Sequence, residues 1–185
     1  MEGRDKLLET IGGVPLLRRQ TEAALATGCP VMVALPTSGA RKAALEGLRV
    51  TLITVPDAAE GMGATLRTAA LFAARHAPDR PMVILLPDVP GIGPFDIKTV
   101  LTRFDAEGGD TVVRATDDTD RPGTPLIVPS RLIEAFTRLE GDDGGRAILS
   151  DEKVVMVPLS GTRATQDLDT PEDWRVWRQS NGFTD

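Results

Sequence analysis

Met82-Val83-Ile84-Leu85-Leu86-Pro87-Asp88-Val89-Pro90-Gly91 is an uninterrupted apolar run that stops at an acid and is followed by turn-formers. A short apolar run bounded by Pro and Gly reads as a strand buried on both faces of a parallel sheet. Asp88 then falls just past the carboxyl end of that strand, the edge at which open α/β sheets bind ligands. A carboxylate there is destabilising unless it is paired, and a divalent cation is a common partner. The alternative is that Asp88 caps the helix that follows. Gln166-Asp167-Leu168-Asp169-Thr170-Pro171-Glu172-Asp173 adds two carboxylates two residues apart, immediately before a second helix start. On an extended segment Asp167 and Asp169 point the same way, so both could face Asp88.

Outward from that strand, apolar runs alternate with helical spacing. Strands are expected at Val31–Leu35, Val50–Val55, Met82–Leu86, Thr111–Ala115, Leu126–Val128 and Val154–Val157. Helices are expected at Val14–Thr27, Arg41–Leu48, Gly61–Ala74, Phe95–Phe104, from a Ser130 cap to Leu139, and over Gly144–Leu149. Thr170 should cap the closing helix with Pro171 at its first position. The alternation predicts an α/β fold: three layers, Rossmann-like, with a mostly parallel sheet and helices on both faces. At 185 residues, with neither repeat nor linker, the chain reads as a single domain over 1–185.

Composition narrows the function. The chain is 41% hydrophobic and 26% charged, with a net charge of −6. Nothing in that balance offers a basic surface to nucleic acid. No apolar run is long enough to span a membrane, and the N-terminus lacks the apolar core of a signal peptide, so a cytoplasmic protein is expected. Cys29 and His76 are the only residues of their types. A zinc site or a Ser-His-Asp triad is therefore not expected. Cys29 should pack as a small hydrophobe, and His76 should sit at a helix C-terminus, where its charge suits the dipole.

Four segments could carry chemistry. Arg4 and Lys6, in Met1-Glu2-Gly3-Arg4-Asp5-Lys6-Leu7-Leu8-Glu9, could hold phosphate oxygens or simply be solvated. Gly61-Met62-Gly63-Ala64-Thr65-Leu66 leads glycines into a helix, which suits an anion or a base edge, or a tight turn. Asp120-Arg121-Pro122-Gly123-Thr124-Pro125 and Gly141-Asp142-Asp143-Gly144-Gly145-Arg146 read as stiff polar turns. The fourth segment is the Asp167/Asp169 pair.

In this order the segments resemble the MobA/MocA-like nucleotidyltransferases, most closely the molybdenum cofactor cytidylyltransferases. Met1 to Leu8 looks like the end of that family's L-A-A-G-x-S-x-R-M-G-x-x-K-L-L signature, and Gly13-Val14-Pro15-Leu16-Leu17 like the G-x-P-L-L that follows. Gly61 to Leu66 is similar to its G-M-x-x-S-L segment, and Pro87 to Gly91 to its D-x-P turn. Arg121 to Pro125 resembles R-P-G-H-P, with Thr124 in place of His. Gly141 to Arg146 resembles G-D-x-G-A-R, and Asp167 to Asp173 resembles D-I-D-T-P-E-D.

The resemblance implies transfer of CMP from CTP to a phosphorylated acceptor, molybdopterin foremost, with release of pyrophosphate. Mg²⁺ would be held by Asp88 and by Asp167 or Asp169. Lys6, helped by Arg4, would stabilise the leaving pyrophosphate, making Lys6 and Asp88 the catalytic pair. Gly61, Met62, Gly63 and Thr65 would face the nucleoside, with Arg121 and Gly123 also lining the nucleotide site. A molybdenum hydroxylase apoenzyme would be a partner. GTP in place of CTP, another phosphorylated acceptor such as a sugar or methylerythritol phosphate, a cofactor-carrying chaperone and a non-catalytic relic all stay open. The family's first strand and glycine-rich loop have no counterpart after Met1. The implied expectations are a start further upstream or a degenerate form, and an untethered Lys6. The strands at Val31–Leu35 and Met82–Leu86 would then close up, leave a gap or borrow a strand from another copy.

Overall fold

The computed structural model describes residues 5–37, 39–141 and 144–183. Among the described residues a 3-10 turn (Lys6–Leu8) comes first, followed by β1 (Thr10–Ile11) and β2 (Val14–Pro15), which pair antiparallel. Between them Gly12 and Gly13 both take positive φ, at 58° and 79°. Two such residues in succession make the tight hairpin turn that other side chains resist. The expected helix from Val14 therefore starts two residues later: α1 spans Leu16–Leu25, because Val14 and Pro15 are committed to the ladder.

The elements that follow are β3 (Met32–Leu35), α2 (Gly39–Ala44), β4 (Thr51–Thr54), α3 (Met62–His76) and β5 (Met82–Ile84). After them come α4 (Pro94–Ala106), β6 (Val112–Thr116), β7 (Pro122–Val128), α5 (Ser130–Phe136), α6 (Arg146–Leu149), β8 (Val154–Pro158) and α7 (Pro171–Ser180). Strand β7 begins at Pro122, where a turn was expected. The ladder tolerates its prolines because Pro122 opens the strand and Pro125 lies beside the register shift between Arg114 and Thr116. Ser130 is the first residue of α5 rather than its cap, which is Pro129. Cys29 is exposed, not packed as a core hydrophobe, because it follows the turn that ends α1.

The fold is α/β and Rossmann-like, with its strands in separate ladders. β3 pairs parallel with β4; β5, β7, β6 and β8 form a second sheet in that order. Within it β7 runs antiparallel to β5 and β6, while β6 and β8 are parallel, so β5, β6 and β8 share one direction. No ladder joins β3 to β5 among the described residues. Of the three outcomes foreseen for these strands, a gap is what is seen. Accordingly Val83 to Leu86 are half-buried rather than sealed on both faces, whereas Val112, Val113, Ile127 and Val128 are fully buried.

Period-two alternation divides the second sheet between two helical layers. Val113, Ala115, Ile127 and Val157 pack with Ala23 of α1 and with Ile97, Val100 and Phe104 of α4. Val112, Leu126 and Val128 pack with Leu66, Ala69 and Ala70 of α3 and with Ile133 and Phe136 of α5. Met32 and Ile53 join this second cluster, which links the β3–β4 pair to the larger sheet. A third cluster gathers Leu7, Ile11, Leu16, Leu17, Leu35, Leu168, Trp174 and Trp177 and so docks α7 against the N-terminal hairpin. Among the described residues no helix is long and apolar enough to cross a membrane.

Candidate active site

Asp88 follows the carboxyl end of β5, and Asp169 ends the segment between β8 and α7. Both loops emerge from strands of the same direction, so both lie at one edge of the sheet. Backbone bonds bring them together. Leu168 N donates to Asp88 O at 3.3 Å, and Leu168 itself is fully buried in the third cluster. Two glycines let the loops approach. A Cβ on Gly91 would meet Arg163 Cα at 3.0 Å, and one on Gly123 would meet Ala164 O at 2.0 Å. Thr124 N donates to that same Ala164 oxygen at 2.9 Å. Beyond Asp169 the Asp173 carboxylate accepts from the Asp169 and Thr170 amides, while Thr170 caps α7.

Lys6 completes the cluster. Its Nζ donates to Asp88 Oδ2 at 2.8 Å and to Asp169 Oδ1 at 2.5 Å. Burial opposes the charge on Lys6, but the hydrogen bonds to Asp169 and Asp88 outweigh it and raise the ammonium pKa above its ordinary value. The segment expected to be untethered is pinned in three ways. Leu7 is buried, the Asp5 carboxylate accepts from Leu7 N, and Arg41 grips Asp5 through Nε at 2.7 Å and Nη2 at 3.0 Å. Arg41's hydrogen bond lowers the Asp5 pKa despite partial burial.

Two carboxylates converging on one cation are a donor set that suits a hard divalent ion. Mg²⁺ commonly binds through one or two carboxylates, keeps its waters and takes further oxygens from substrate phosphates. Asp88 and Asp169 would hold such an ion. Asp167 is exposed and makes no ion pair or side-chain hydrogen bond among the described residues, so the pair does not act in parallel. Among those residues no three His, Cys, Asp or Glu side chains gather as a metal set.

The remaining expected site residues lie elsewhere. Gly61, with φ of 105°, caps α3, where Met62 is 43% exposed, Gly63 is buried and Thr65 is half-buried. This loop meets the α5–α6 connection: Met62 Sδ lies 3.4 Å from where a Gly144 Cβ would be, and Arg67 donates to Leu139 O. Arg121 is exposed in the β6–β7 hairpin, its amide donating to Asp117. Gly123 packs on the loop that carries Asp169. Arg4, Asp142 and Asp143 lie outside the described residues. His76 ends α3, stacked on Phe72 with its ring nitrogen against Phe72 O.

Sequence reasoning missed several supports. Thr124 Oγ1 donates to Ile84 O and accepts from Leu86 N, extending the β5–β7 connection toward Asp88. Buried Asp117 accepts from Thr119, Thr165 and Arg121 N, and these bonds, Thr119's foremost, hold its carboxyl well below the usual range. Asp96 pairs with Arg163 at 3.1 Å and accepts from Gly93 N. The Asp-rich turn Asp117 to Asp120 was a visible signal for the second of these.

Residues 1–156 match the family model of the MobA-like NTP transferase domain. The fold is similar to the crystal structure of Rv0371c from Mycobacterium tuberculosis H37Rv (22% identity, TM-score 0.79, 96% of this chain and 90% of that one). It is also similar to a CMP:2-keto-3-deoxy-manno-octonic acid synthetase complexed with CTP (14%, 0.71, 96% and 91%). A third likeness is to molybdopterin-guanine dinucleotide biosynthesis protein A from Archaeoglobus fulgidus (15%, 0.67, 98% and 92%). Rv0371c has also been crystallised with manganese (22%, 0.77, 94% and 91%). No curated protein sequence matches the chain.

Proposed function

The chain belongs to the MobA-like NTP transferase domain family, and from that premise we propose that it is a cytidylyltransferase dependent on a divalent metal, Mg²⁺ in the cell. The acceptor is a phosphorylated pterin, molybdopterin foremost, and the product passes to a molybdenum hydroxylase apoenzyme in the cytoplasm. Residues 1–185 act as one nucleotidyltransferase-like domain. An acceptor phosphate oxygen bonds to the α-phosphorus of CTP as the bond from that phosphorus to the bridging oxygen breaks, and pyrophosphate leaves with those electrons. No general base is needed, because the acceptor is already an anion. Catalysis of this kind rests on positioning and charge neutralisation.

The observation that carries this reading is the Lys6–Asp88–Asp169 cluster at the sheet's carboxyl edge. A bound divalent ion would supply charge neutralisation on the phosphates. Lys6, with Arg4, stabilises the pyrophosphate as it departs, and the Gly61–Thr65 loop with Arg121 borders the nucleotide. Lys6 holds the two carboxylates together, and with a triphosphate bound its ammonium would be available to the phosphates while Asp88 and Asp169 would hold the ion. Incubation with each nucleoside triphosphate, Mg²⁺ or Mn²⁺ and molybdopterin should release pyrophosphate most rapidly with CTP. Faster release with GTP would move the base assignment. Absence of release with every triphosphate, alongside retained cofactor binding, would replace the enzyme with a carrier.

A further inference from the structure

The Lys6 ammonium already serves as the cation shared by Asp88 and Asp169, bonding Oδ2 of the first at 2.8 Å and Oδ1 of the second at 2.5 Å. A divalent ion taken by the same two oxygens would meet a like charge at close range, which is unfavourable unless the ammonium moves away. The structure leaves the ammonium little reason to move. Lys6 opens a 3-10 turn whose next residue, Leu7, is buried, so its backbone is fixed. The adjacent carboxylate, Asp5, has both oxygens engaged: Oδ1 accepts from Leu7 N and Arg41 Nη2, and Oδ2 accepts from Arg41 Nε. A bare ion would therefore re-pair the carboxylates and leave a half-buried ammonium without an anion, a costly exchange. Among the described residues no set of three His, Cys, Asp or Glu side chains gathers to compensate. With two carboxylates from the protein, the rest of an octahedral Mg²⁺ shell comes from water or from phosphates.

We propose that Lys6 closes the metal site to free divalent ions and admits one only together with a polyphosphate. This rests on the nucleotidyltransferase reading above and sets the order in which that site fills. A polyphosphate chain brings anionic oxygens for the ammonium at the moment the ion takes the carboxylates, so every charge of the cluster is re-paired in one exchange. Lysine suits the part, because its ammonium is a point charge on a flexible stem and can turn from one anion to another without moving the backbone. Asp169 forms the open side of the cluster, at 60% exposure against 25% for Asp88, so the polyphosphate meets the cluster there. No base or sugar takes part in the exchange, which makes inorganic tripolyphosphate a sufficient partner. By linkage, whatever draws Lys6 away tightens the ion, and the ion in turn tightens whatever holds Lys6.

Mn²⁺ binding followed by water proton relaxation tests the gate without turnover. Wild type alone should bind Mn²⁺ weakly, and inorganic tripolyphosphate should bring the ion onto the protein. Lys6→Met alone should bind Mn²⁺ about tenfold more tightly than wild type, the scale of a charge-assisted hydrogen bond that no longer competes. Adding Asp88→Asn to Lys6→Met should erase that gain, which assigns the ion to the cluster. Lys42→Met removes an equal charge from an exposed position on α2 and should leave Mn²⁺ affinity near wild type. Melting of Lys6→Met checks the fold, and Lys6→Gln is a second variant with the same expected gain. Unchanged Mn²⁺ affinity in both Lys6 variants, a gain that Lys42→Met reproduces, or no uptake with tripolyphosphate would overturn the gate. Tighter Mn²⁺ in Lys6→Met, with no pyrophosphate release by wild type from any triphosphate, would leave the gate standing and remove the function proposed above.

Discussion

A single lysine organises the candidate site: Lys6 bonds both carboxylates, and Asp88 is the more sheltered, at 25% exposure against 60% for Asp169. Asp88→Asn should lower metal-dependent turnover by about 10²-fold or more, the scale for removing one preorganised charge. Asp169→Asn should lower it less, and Asp167→Asn should leave it near wild type; steady-state rates across a metal titration check all three. Equal effects at Asp167 and Asp169 would place the metal differently. Residue types were enough to single out Lys6, Asp88 and the acidic pair. They could not separate Asp167 from Asp169, because that depends on where the chain bends into α7, and the bend is set by Asp173 capping the Asp169 and Thr170 amides. Asp117 makes a separate prediction. Its folded pKa is depressed, so its contribution to stability is complete above the unfolded value near 3.9 and is lost as pH falls below it. Asp117→Asn should therefore lower Tm at neutral pH and flatten the fall in Tm between about pH 5 and pH 3. Parallel melting curves for variant and wild type over that window would contradict it.

At the scale of elements, helices and strands were legible wherever an apolar period ran unbroken, as in α3, α4 and β6. The misread positions were those where neighbours in space decide. Pro122 to Pro125 looks like a turn in isolation, yet β7 extends through it because the bulge lies on β7 itself, between Pro122 and Leu126, and frees residues without an N–H from the ladder. At Gly123, which the family resemblance puts at the nucleotide site, the missing side chain also admits the loop that carries Asp169. Gly123→Ala should destabilise the fold by roughly 1–3 kcal/mol, the range for overpacking, because the obstructing atoms belong to the backbone of Ala164. It should also weaken Mn²⁺ binding by displacing Asp169. Gly39→Ala, with nothing within 4 Å of the added carbon, is the control and should be neutral or slightly stabilising. Denaturant melts and Mn²⁺ titration of the two variants decide this, and a stable, metal-competent Gly123→Ala would show that the loop has another place to go.

For the molecule as a whole, the order of strand and helix made the α/β class legible, because both faces of each central strand had to be apolar. Sheet continuity was not legible, since strand order depends on which edges meet in three dimensions. The observed division has a dynamic consequence. β6 and β7 each have a strand on both sides, while β3 pairs only with β4 and β5 only with β7 among the described residues. Burial follows pairing: Val112, Val113, Ile127 and Val128 are sealed, whereas Met32, Val33 and Ala34 are half-buried. Amides open in proportion to the apolar contacts and ladder bonds that opening must break. Native-state hydrogen exchange should therefore be slowest in β6 and β7 and reach the global unfolding limit there. Exchange in β3 should be faster by orders of magnitude, with β5 between them, because its one ladder is stitched to β7 and reinforced by Thr124. Occupation of the Lys6–Asp88–Asp169 cluster by Mn²⁺ and CTP should slow β5 more than β3, since Asp88 extends directly from β5. If β3 proves as protected as β6 in the free protein, its open edge is covered in solution and the sheet is continuous after all.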